Sequence, residues 1–207
     1  MAHTLAKKHT LIIITVILAI AVAYLSVKTI KLKRQKSEVE EKILKWRKMA
    51  LTDDLTRLKN RLAFNLKIDT LKKIKENNTI GILLFDVDNF KLINDVEGHL
   101  AGDKKLREVA IALLDVFDLP KCSVYRFGGD EFAVITQNIS EDEIINLLLK
   151  IREYERNKKS FSLSKGYSIV SSAYCKDLEK AIDRADEMLY ADKLLKHKNL
   201  QKSEKIS

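Results

Sequence analysis

Cysteine is scarce in this 207-residue sequence, and neither of the two cysteines is placed as a metal ligand or as part of a redox motif. Cys122 and Cys175 are far apart, form no CxxC pair and have no histidine near them. This pattern argues against a disulfide framework and against a zinc site. We therefore expect two buried free thiols in a protein of a reducing compartment.

Charge is absent from one long stretch near the N terminus. The nineteen residues 9–27 contain no Asp, Glu, Lys or Arg, and this is close to the length that a helix needs to cross a bilayer. The stretch is apolar on all sides, which argues against an amphipathic core helix. We predict a transmembrane helix over 10–27. A cleaved signal peptide is the alternative, because Lys7 and Lys8 precede the run and Ala-Val-Ala at 21–23 resembles a cleavage site.

The basic charge of the chain is concentrated around this stretch. Residues 1–50 carry eleven Lys and Arg and three acids, a net charge of +8, whereas the other 157 residues carry 27 and 26. Most of the flanking basic residues follow the apolar run, so the positive-inside rule places the C-terminal body in the cytoplasm. Because the net charge of the body is only +1, the basic composition gives no indication of nucleic-acid binding.

Glycine and proline are absent from residues 28–51, which are highly charged. Leu32, Val39 and Trp46 recur every seven residues, but the intervening positions of the heptad are polar, so the pattern is weak. We predict a basic signalling helix or a weak coiled coil in this segment.

Patterns of apolar residues in the body predict an α+β fold with an antiparallel-rich sheet, and not a TIM barrel or a Rossmann alternation. The first predicted elements are a helix with an apolar stripe at Leu62, Leu66 and Ile74, a buried strand at 79–85, and an amphipathic helix from about Leu106 to Phe117. Strands at 123–127 and 131–136, joined by a Gly-Gly turn, come next, followed by a helix that begins with a capping box at Ser140 and Glu143. The last elements are a hairpin at 161–172 and a helix marked by Leu178, Ile182, Ala185 and Leu189.

Two pairs of acidic residues follow predicted strands. Asp86 and Asp88 end the first strand, and alternate residues of a strand face the same side. Asp130 and Glu131 follow the Gly-Gly turn, and as neighbours they should face opposite ways. If the two strands are adjacent, Asp86 and one acid of the second pair converge. Converging carboxylates repel unless a hard divalent cation such as Mg²⁺ lies between them. Ordinary surface acids are the alternative for either pair alone.

The segment after Asp88 adds four further polar side chains, Lys91, Asn94, His99 and Asp103. A lysine near bound Mg²⁺ suits a phosphate group or the charge that develops in phosphoryl transfer. Asn94 and Asp103 offer donors and acceptors that complement the edge of guanine. Taken singly, Asn94 fits a helix cap better than a ligand, and His99 fits a packed ring better than a ligand.

Five segments together resemble, in order and in spacing, the signatures of the GGDEF domain, the diguanylate cyclase family of bacteria. The resemblance covers about residues 52–199 and implies a palm-like domain, with a central, mostly antiparallel sheet flanked by helices as in nucleotidyl cyclases. The segments are DDLTRLKNR (53–61), FDVDNFKLINDVEGHLAGD (85–103), YRFGGDEFAV (125–134), SKG (164–166) and ADEMLYADK (185–193).

The resemblance implies roles for the acidic residues and for one lysine. Asp86, the carbonyl of Val87 and Asp130 would bind Mg²⁺. Glu131 would lie beside them in the metal site or would take part in activating the attacking hydroxyl. Lys91 would stabilise phosphate charge in the transition state. Asp130, Glu131 and Lys91 are therefore the predicted catalytic residues.

The resemblance also implies the residues that bind substrate. Asn94, His99 and Asp103 would hold GTP, with Asn94 and Asp103 on the guanine base. Lys193 matches the family's last motif and would contact the substrate as well.

The sequence departs from the family at three places. The family's usual glycine in LTGLxNR is Arg57, and Lys196 and His197 stand where the last motif has Gly-Arg, which puts a phosphate contact there in doubt unless Lys198 replaces it. The inhibitory RxxD motif is absent, because its window, 119–122, reads LPKC.

The implied function is synthesis of cyclic di-GMP plus two pyrophosphate from two GTP by a Mg²⁺-dependent homodimer, in which each 3′-OH attacks the α-phosphate held by the other copy. We expect a single-pass protein of the bacterial inner (cytoplasmic) membrane with its GGDEF domain in the cytoplasm. The alternative is a catalytically inert GGDEF domain that binds GTP or cyclic di-GMP as a signalling module. A nucleic-acid-binding palm is disfavoured by the charge of the body. The predicted segments are a tail (1–9), the transmembrane helix (10–27), the signalling helix (28–51), the GGDEF domain (52–199) and a second tail (200–207).

Overall fold

The structure, a computed structural model, describes residues 2–73, 78–158, 160–171 and 177–204, with side chains described from residue 18 onward except at 19, 171 and 199–204. The chain divides into two compact units, Met1–Ala50 and Leu51–Ser207.

The first unit is one long helix, α1, at Ala2–Ala50. Its described side chains, which include Leu32, Val39 and Trp46, are exposed. Among the described residues, no helix has the length and apolar character needed to span a membrane. The structure does not describe the side chains of 10–17 and 19, which make up half of the predicted span. The transmembrane helix therefore stays a prediction.

The second unit is an α+β domain built on a four-stranded sheet with the order β2-β3-β1-β4. All of its strand pairs are antiparallel. This confirms the predicted antiparallel sheet flanked by helices. Its helices are α2 (Arg61–Leu71), α3 (Phe90–Glu97), α4 (His99–Val116), α5 (Glu141–Lys158) and α6 (Leu178–Glu204), and its strands are β1 (Thr79–Val87), β2 (Cys122–Arg126), β3 (Glu131–Gln137) and β4 (Leu163–Ser171).

The central strand β1 is buried on both faces, which explains its continuous apolar run. Its alternate residues belong to two different hydrophobic clusters. Leu83 and Phe85 pack with α4 and α5, whereas Ile82 and Leu84 pack with α2 and α6. Helices therefore cover both faces of the sheet and leave its edges and strand ends for the loops.

The predicted apolar stripe of α2 is wrong. Leu62 and Leu66 are 51% and 46% exposed, and the buried residues are Ala63, Phe64, Ile68 and Leu71; Ile74 lies outside the described residues. The Phe64 ring lies on the buried face, where it makes edge-on contacts with Tyr125 of β2 and with Phe127, which follows β2.

The predicted hairpin at 161–172 is also wrong over its described part. Residues 163–171 form the single strand β4, which pairs with β1 along its whole length. Gly166 marks close packing and not a turn, since a Cβ atom there would lie 2.1 Å from the carbonyl oxygen of Ala185 in α6. Glycine therefore allows α6 to approach the sheet closely.

Three other sequence predictions concern the capping box, the Gly-Gly connection and the cysteines. The capping box is confirmed, because Ser140 Oγ accepts a hydrogen bond from Glu143 N and the Glu143 carboxylate accepts one from Ser140 N. The Gly-Gly connection between β2 and β3 is confirmed. Cys122 is free but only half-buried, and burial raises the pKa of its thiol to about 11; Cys175 lies outside the described residues.

Arg57→Gly is expected to stabilise the second unit. Arg57 has a left-handed backbone with φ of 62°, a conformation that disfavours any residue with a Cβ atom and that glycine adopts freely. Its ion pair with Asp54 is highly exposed and adds little. The free energy of unfolding, measured by urea denaturation, should rise by about 0.5–1 kcal/mol. Arg57→Ala removes the same ion pair but keeps the Cβ atom, and it should give no gain; equal gains in the two variants would contradict this explanation.

Candidate active site

A cleft of about 860 Å³ opens where β1 ends, between α3, α6 and the loop that joins β2 to β3. Five of the nine predicted catalytic, substrate-binding and metal-binding residues line it: Asp86, Val87, Lys91, Asp130 and Lys193. The cleft therefore contains acidic groups suited to a metal ion beside lysines suited to phosphate.

The two predicted strands are adjacent, as the convergence of the acids requires. Asp86 lies opposite Glu131 in the β1–β3 pair, and Val87 N donates a hydrogen bond of 3.1 Å to the carbonyl oxygen of Asp130. Asp86 is 8% exposed, Asp130 is half-buried and Glu131 is exposed. Asp86, Asp130 and Glu131 thus lie at the same end of the sheet.

Burial and the neighbouring carboxylates together raise the pKa of Asp86. Burial is the largest cause, and the negative charges of Asp130 and Glu131 add to it, whereas the hydrogen bond and positive charge of Lys193 oppose it. The Nζ atom of Lys193 lies 2.7 Å from Asp86 Oδ2. The negative charges of Asp86, Asp130 and Glu131 therefore repel one another, and Lys193 offsets only part of this electrostatic cost.

Asp88 is held by a separate hydrogen-bond network. Its carboxylate accepts hydrogen bonds from the hydroxyls of Ser162 and Ser164 and from Lys196 Nζ at 2.7 Å. Lys196 Nζ also donates to the carbonyl oxygen of Leu163 at 2.6 Å. Burial alone would raise the pKa of Asp88, but these donors lower it below the ordinary value.

Lys196 was identified from the sequence only as a departure from the family motif, so its partner was missed. A usable signal was present: Asp86 and Asp88 alternate on a strand end, while Lys193 and Lys196 are three residues apart on a helix and hence share a face. Each aspartate meets one of these lysines. His197 also lines the cleft.

Lys196→Met is expected to destabilise the second unit by about 1–2 kcal/mol, because it leaves the Asp88 carboxylate, 16% exposed, without its cation. The loss should depend on pH. Since the pKa of Asp88 is lowered by folding, its ion pair contributes fully above about pH 4, the ordinary value for aspartate, and the contribution disappears as pH falls through the lowered pKa.

Urea denaturation at several pH values checks this result. Lys180→Met is the matched control, because the Lys180–Asp177 pair is another lysine–aspartate pair of 2.9 Å but its lysine is 68% exposed. The control should change stability by less than about 0.5 kcal/mol. A loss for Lys196→Met that is equally large at pH 7 and pH 3 would show that the lost hydrogen bond to the Leu163 carbonyl, and not the charge pair with Asp88, is responsible.

The β2–β3 loop is fixed by Arg126, which the sequence analysis did not single out. Its guanidinium donates to both carboxylate oxygens of Asp53 at 3.1 Å and to the carbonyl oxygen of Gly129 at 2.7 Å. Burial would raise the pKa of Asp53, but hydrogen bonds from Thr56 and Arg126 lower it overall. The first family segment thereby positions the loop that carries Asp130.

The glycines of this loop are not needed for a left-handed backbone, because neither Gly128 nor Gly129 adopts one. A Cβ atom on Gly128 would lie 2.2 Å from an oxygen of Glu131, so glycine leaves room for that carboxylate. Around Gly129 a Cβ atom would meet nothing within 4 Å. The space beside Gly129 is therefore open, whereas the space beside Gly128 is filled by the Glu131 carboxylate.

Three predicted substrate residues, Asn94, His99 and Asp103, are described by the structure and lie beyond the lining of the cleft, on α3 and α4. Asn94 and Asp103 are half-buried, and His99 is exposed. Asn94 lies against Gly102, where a Cβ atom would be 2.0 Å from its side-chain oxygen. Asn94 is inside α3 and is not its N-cap, and exposure of His99 is inconsistent with a packed ring.

Across the described residues, no set of three or more His, Cys, Asp or Glu side chains is arranged as a metal cluster. The chemistry of the donors nevertheless fits a hard divalent cation. Asp86 and Asp130 both face the cleft, and their repulsion contributes to the raised pKa of Asp86. A cation with oxygen ligands would relieve that repulsion.

Comparison with known proteins agrees with the fold. The family model described as "Diguanylate cyclase, GGDEF domain" matches residues 50–199. The chain belongs to the GGDEF-domain family.

The similar curated proteins include one named as a probable diguanylate cyclase and one named as a cyclic di-GMP phosphodiesterase. Over 144 residues, the chain is 39% identical to the probable diguanylate cyclase DgcI of Escherichia coli K12, covering 70% of this chain and 31% of that protein. It is 33% identical to the cyclic di-GMP phosphodiesterase PdeR of the same organism, covering 70% and 22%. The chain thus spans less than a third of the length of these two curated relatives.

A solved structure covers more of the chain. The coiled coil and GGDEF domain of DgcB from Caulobacter crescentus, in complex with c-di-GMP, is 28% identical, with a TM-score of 0.66. The likeness covers 83% of this chain and 93% of that one.

Proposed function

We propose that this chain is a diguanylate cyclase, which condenses two GTP into cyclic di-GMP and two pyrophosphate at the interface of a homodimer. The observation that carries the proposal is the cleft of the GGDEF fold, where Asp86 and Asp130 lie beside Lys91 and Lys193. Paired carboxylates with nearby lysines are suited to phosphoryl transfer.

In each half-reaction, the 3′-oxygen of one GTP forms a bond to the α-phosphorus of the GTP on the other copy. The bond from that phosphorus to the pyrophosphate oxygen breaks, and the hydroxyl proton passes to a base, for which Glu131 is the candidate. Two such steps, related by the twofold axis, close the ring. Bringing the reactants together in fixed geometry supplies a large part of the catalysis.

The acids and the lysines of the cleft have different roles in the proposed reaction. Asp86, Asp130 and the carbonyl of Val87 would hold Mg²⁺, which supplies Lewis-acid stabilisation of phosphate charge when bound. A cation held by Asp86 would leave Lys193 available to a phosphate group. Lys91 and Lys193 neutralise charge on the triphosphate and on the departing pyrophosphate.

We assign recognition of the guanine base to the predicted substrate-binding residues on α3 and α4. In the proposal, Asn94 and Asp103 bind the edge of guanine, with the Asp103 carboxylate accepting from N1–H and the amino group. His99 lies at the start of α4 and contributes to holding GTP. Adenine offers no matching donors to Asp103, so an unpaired half-buried carboxylate would oppose its binding.

Asp103→Ser is expected to narrow the preference for GTP over ATP. The unpaired carboxylate opposite adenine costs about 1–3 kcal/mol, so wild type should favour GTP by roughly 5- to 150-fold in kcat/KM. Product analysis from equimolar GTP and ATP measures the change as a rise in mixed GMP-AMP product. Asp95→Ser, which removes an exposed carboxylate from the lining of the cleft and not from the proposed guanine contact, is the control and should keep the preference. Equal use of both nucleotides by wild type would refute the assignment.

We also propose that residues 10–27 anchor the chain in the bacterial inner (cytoplasmic) membrane, with the GGDEF domain in the cytoplasm. The support is the uncharged stretch 9–27 and the excess of basic residues after it. Membrane fractions washed with alkaline carbonate should retain the full chain and release a fragment containing 28–207. Recovery of the full chain in the wash would contradict the anchor.

An inert GGDEF domain that binds GTP or cyclic di-GMP and signals by contact is the second candidate. The similarity to PdeR and the replacement of the usual Gly-Arg by Lys196 and His197 favour it. Pyrophosphate release distinguishes the two: a cyclase releases one pyrophosphate per GTP consumed, whereas the inert domain binds GTP and releases none.

A further inference from the structure

The surface beside the cleft carries three exposed apolar side chains, Leu92, Val96 and Leu100. Their exposed fractions are 60%, 73% and 85%, and the value for Leu100 is the highest among the large apolar side chains that the structure describes. All residues of α3 are described and none of them is buried, so Leu92 and Val96 do not serve the core. We call these three residues the rim patch.

One residue of the rim patch lines the cleft. Leu92 belongs to the lining, and Val96 follows it by four residues on α3, which places both on one helix face. Leu100 lies in the first turn of α4, which follows α3 after Gly98. A body that covers the mouth of the cleft along α3 would therefore lie against this surface.

We propose that the rim patch is the surface through which two copies of this chain meet when their clefts face each other. The inference rests on the proposed function, because that reaction requires the second copy, with its own GTP, at the mouth of the cleft. In a twofold dimer the same surface meets itself, so an apolar patch is matched by an apolar patch. The second copy is thus the occupant that the chemistry requires at this position.

The charges around the rim patch suit a self-complementary contact. Lys91 and Lys104 are exposed beside it, and so are Asp95 and Glu97. Twofold symmetry lets residues of opposite sign pair across the axis, which orients the two copies. Three apolar side chains form a small contact, and a weak contact is appropriate because the two clefts must separate to admit GTP and release product.

The first test uses the full-length protein in detergent with the double variant Val96→Gln/Leu100→Gln, which leaves Leu92 and the cleft lining intact. Specific activity is measured over a wide range of protein concentration. We expect the concentration that gives half-maximal specific activity to rise at least about tenfold, with recovery at high concentration. The matched control, Leu62→Gln/Ile111→Gln, changes two helical side chains that are 51% and 53% exposed outside the cleft, and it should behave as wild type.

Binding of GTP to a single copy is measured separately with α,β-methylene-GTP, which cannot release pyrophosphate. The double variant should bind this analogue within about twofold of wild type, since each copy holds its own nucleotide. Weakened binding with an unchanged concentration profile would assign the rim patch to the nucleotide of the same copy and overturn the proposal. An unchanged profile with unchanged binding would also overturn it.

A second test does not require activity. Val96→Cys is introduced into a Cys122→Ser/Cys175→Ser background, and disulfide formation between copies is measured with α,β-methylene-GTP present. Val96→Cys should cross-link and Ile111→Cys should not. Equal cross-linking at the two positions, or none at Val96→Cys, would refute the rim patch as the dimer contact. If wild type makes no cyclic di-GMP but Val96→Cys still cross-links selectively, the proposed reaction fails while the contact stands.

Discussion

Asp130→Ala is expected to abolish formation of cyclic di-GMP, with kcat lower by at least about a thousandfold. In the proposed mechanism the change removes a carboxylate ligand of the metal ion. It does not remove core, because Asp130 lies half-buried in a loop and its carbonyl oxygen, which accepts the hydrogen bond from Val87 N, is part of the backbone.

The stability of the same variant separates a lost ligand from a lost fold. Since the negative charge of Asp130 contributes to the raised pKa of Asp86, its removal relieves repulsion, and the thermal midpoint should stay the same or rise. Asp118→Ala, which removes an exposed loop carboxylate elsewhere, should leave activity unchanged. Normal turnover by Asp130→Ala would refute the metal assignment, and unfolding of the variant would refute this account of its stability.

Removal of residues 1–50 is expected to make specific activity depend steeply on protein concentration. The remaining unit contains both hydrophobic clusters, so we expect it to fold. A single GGDEF domain cannot complete the proposed reaction, and a membrane anchor with a helix raises the effective concentration of the second copy. At nanomolar protein the truncated chain should lose at least about a hundredfold in specific activity.

Fusion to a dimeric coiled coil provides the control for this truncation. The fused chain should recover activity at low concentration, because the coiled coil replaces the pairing and contributes nothing to the cleft. A fusion with a monomeric helix of similar length should not. If the truncated chain keeps constant specific activity over a wide dilution range without forming a tight dimer, the N-terminal segment only determines location.

The sequence was most informative where a local pattern had one structural solution. The uncharged apolar run that became β1 is buried on both faces, and the capping box at Ser140 forms as expected. The pairing of β1 with β3 then brings Asp86 opposite Glu131, as the argument from two strand ends anticipated. The strand and the capping box could be predicted because residues close in sequence determine them, whereas the pairing of β1 with β3 was only a condition of the prediction and is supplied by the structure.

The sequence predictions were wrong where contacts between residues far apart in sequence determine the structure. Gly166 resembles a turn residue in sequence, yet the backbone of α6 requires the absence of a side chain there. Leu62 and Leu66 form a plausible stripe, but aromatic contacts of Phe64 turn the other face of α2 inward. Lys196 binds Asp88 over 108 positions of sequence, and a departure from a family motif gave no indication of that partner.

Mass analysis of the products formed from GTP and Mg²⁺ by the purified full-length chain tests the proposed cyclase activity. We expect cyclic di-GMP as the nucleotide product, with two pyrophosphates released for each molecule formed and with none of either from Asp130→Ala. GTP that is bound but returned unchanged by the wild-type protein, over a range of protein concentrations that includes dimer, would contradict it.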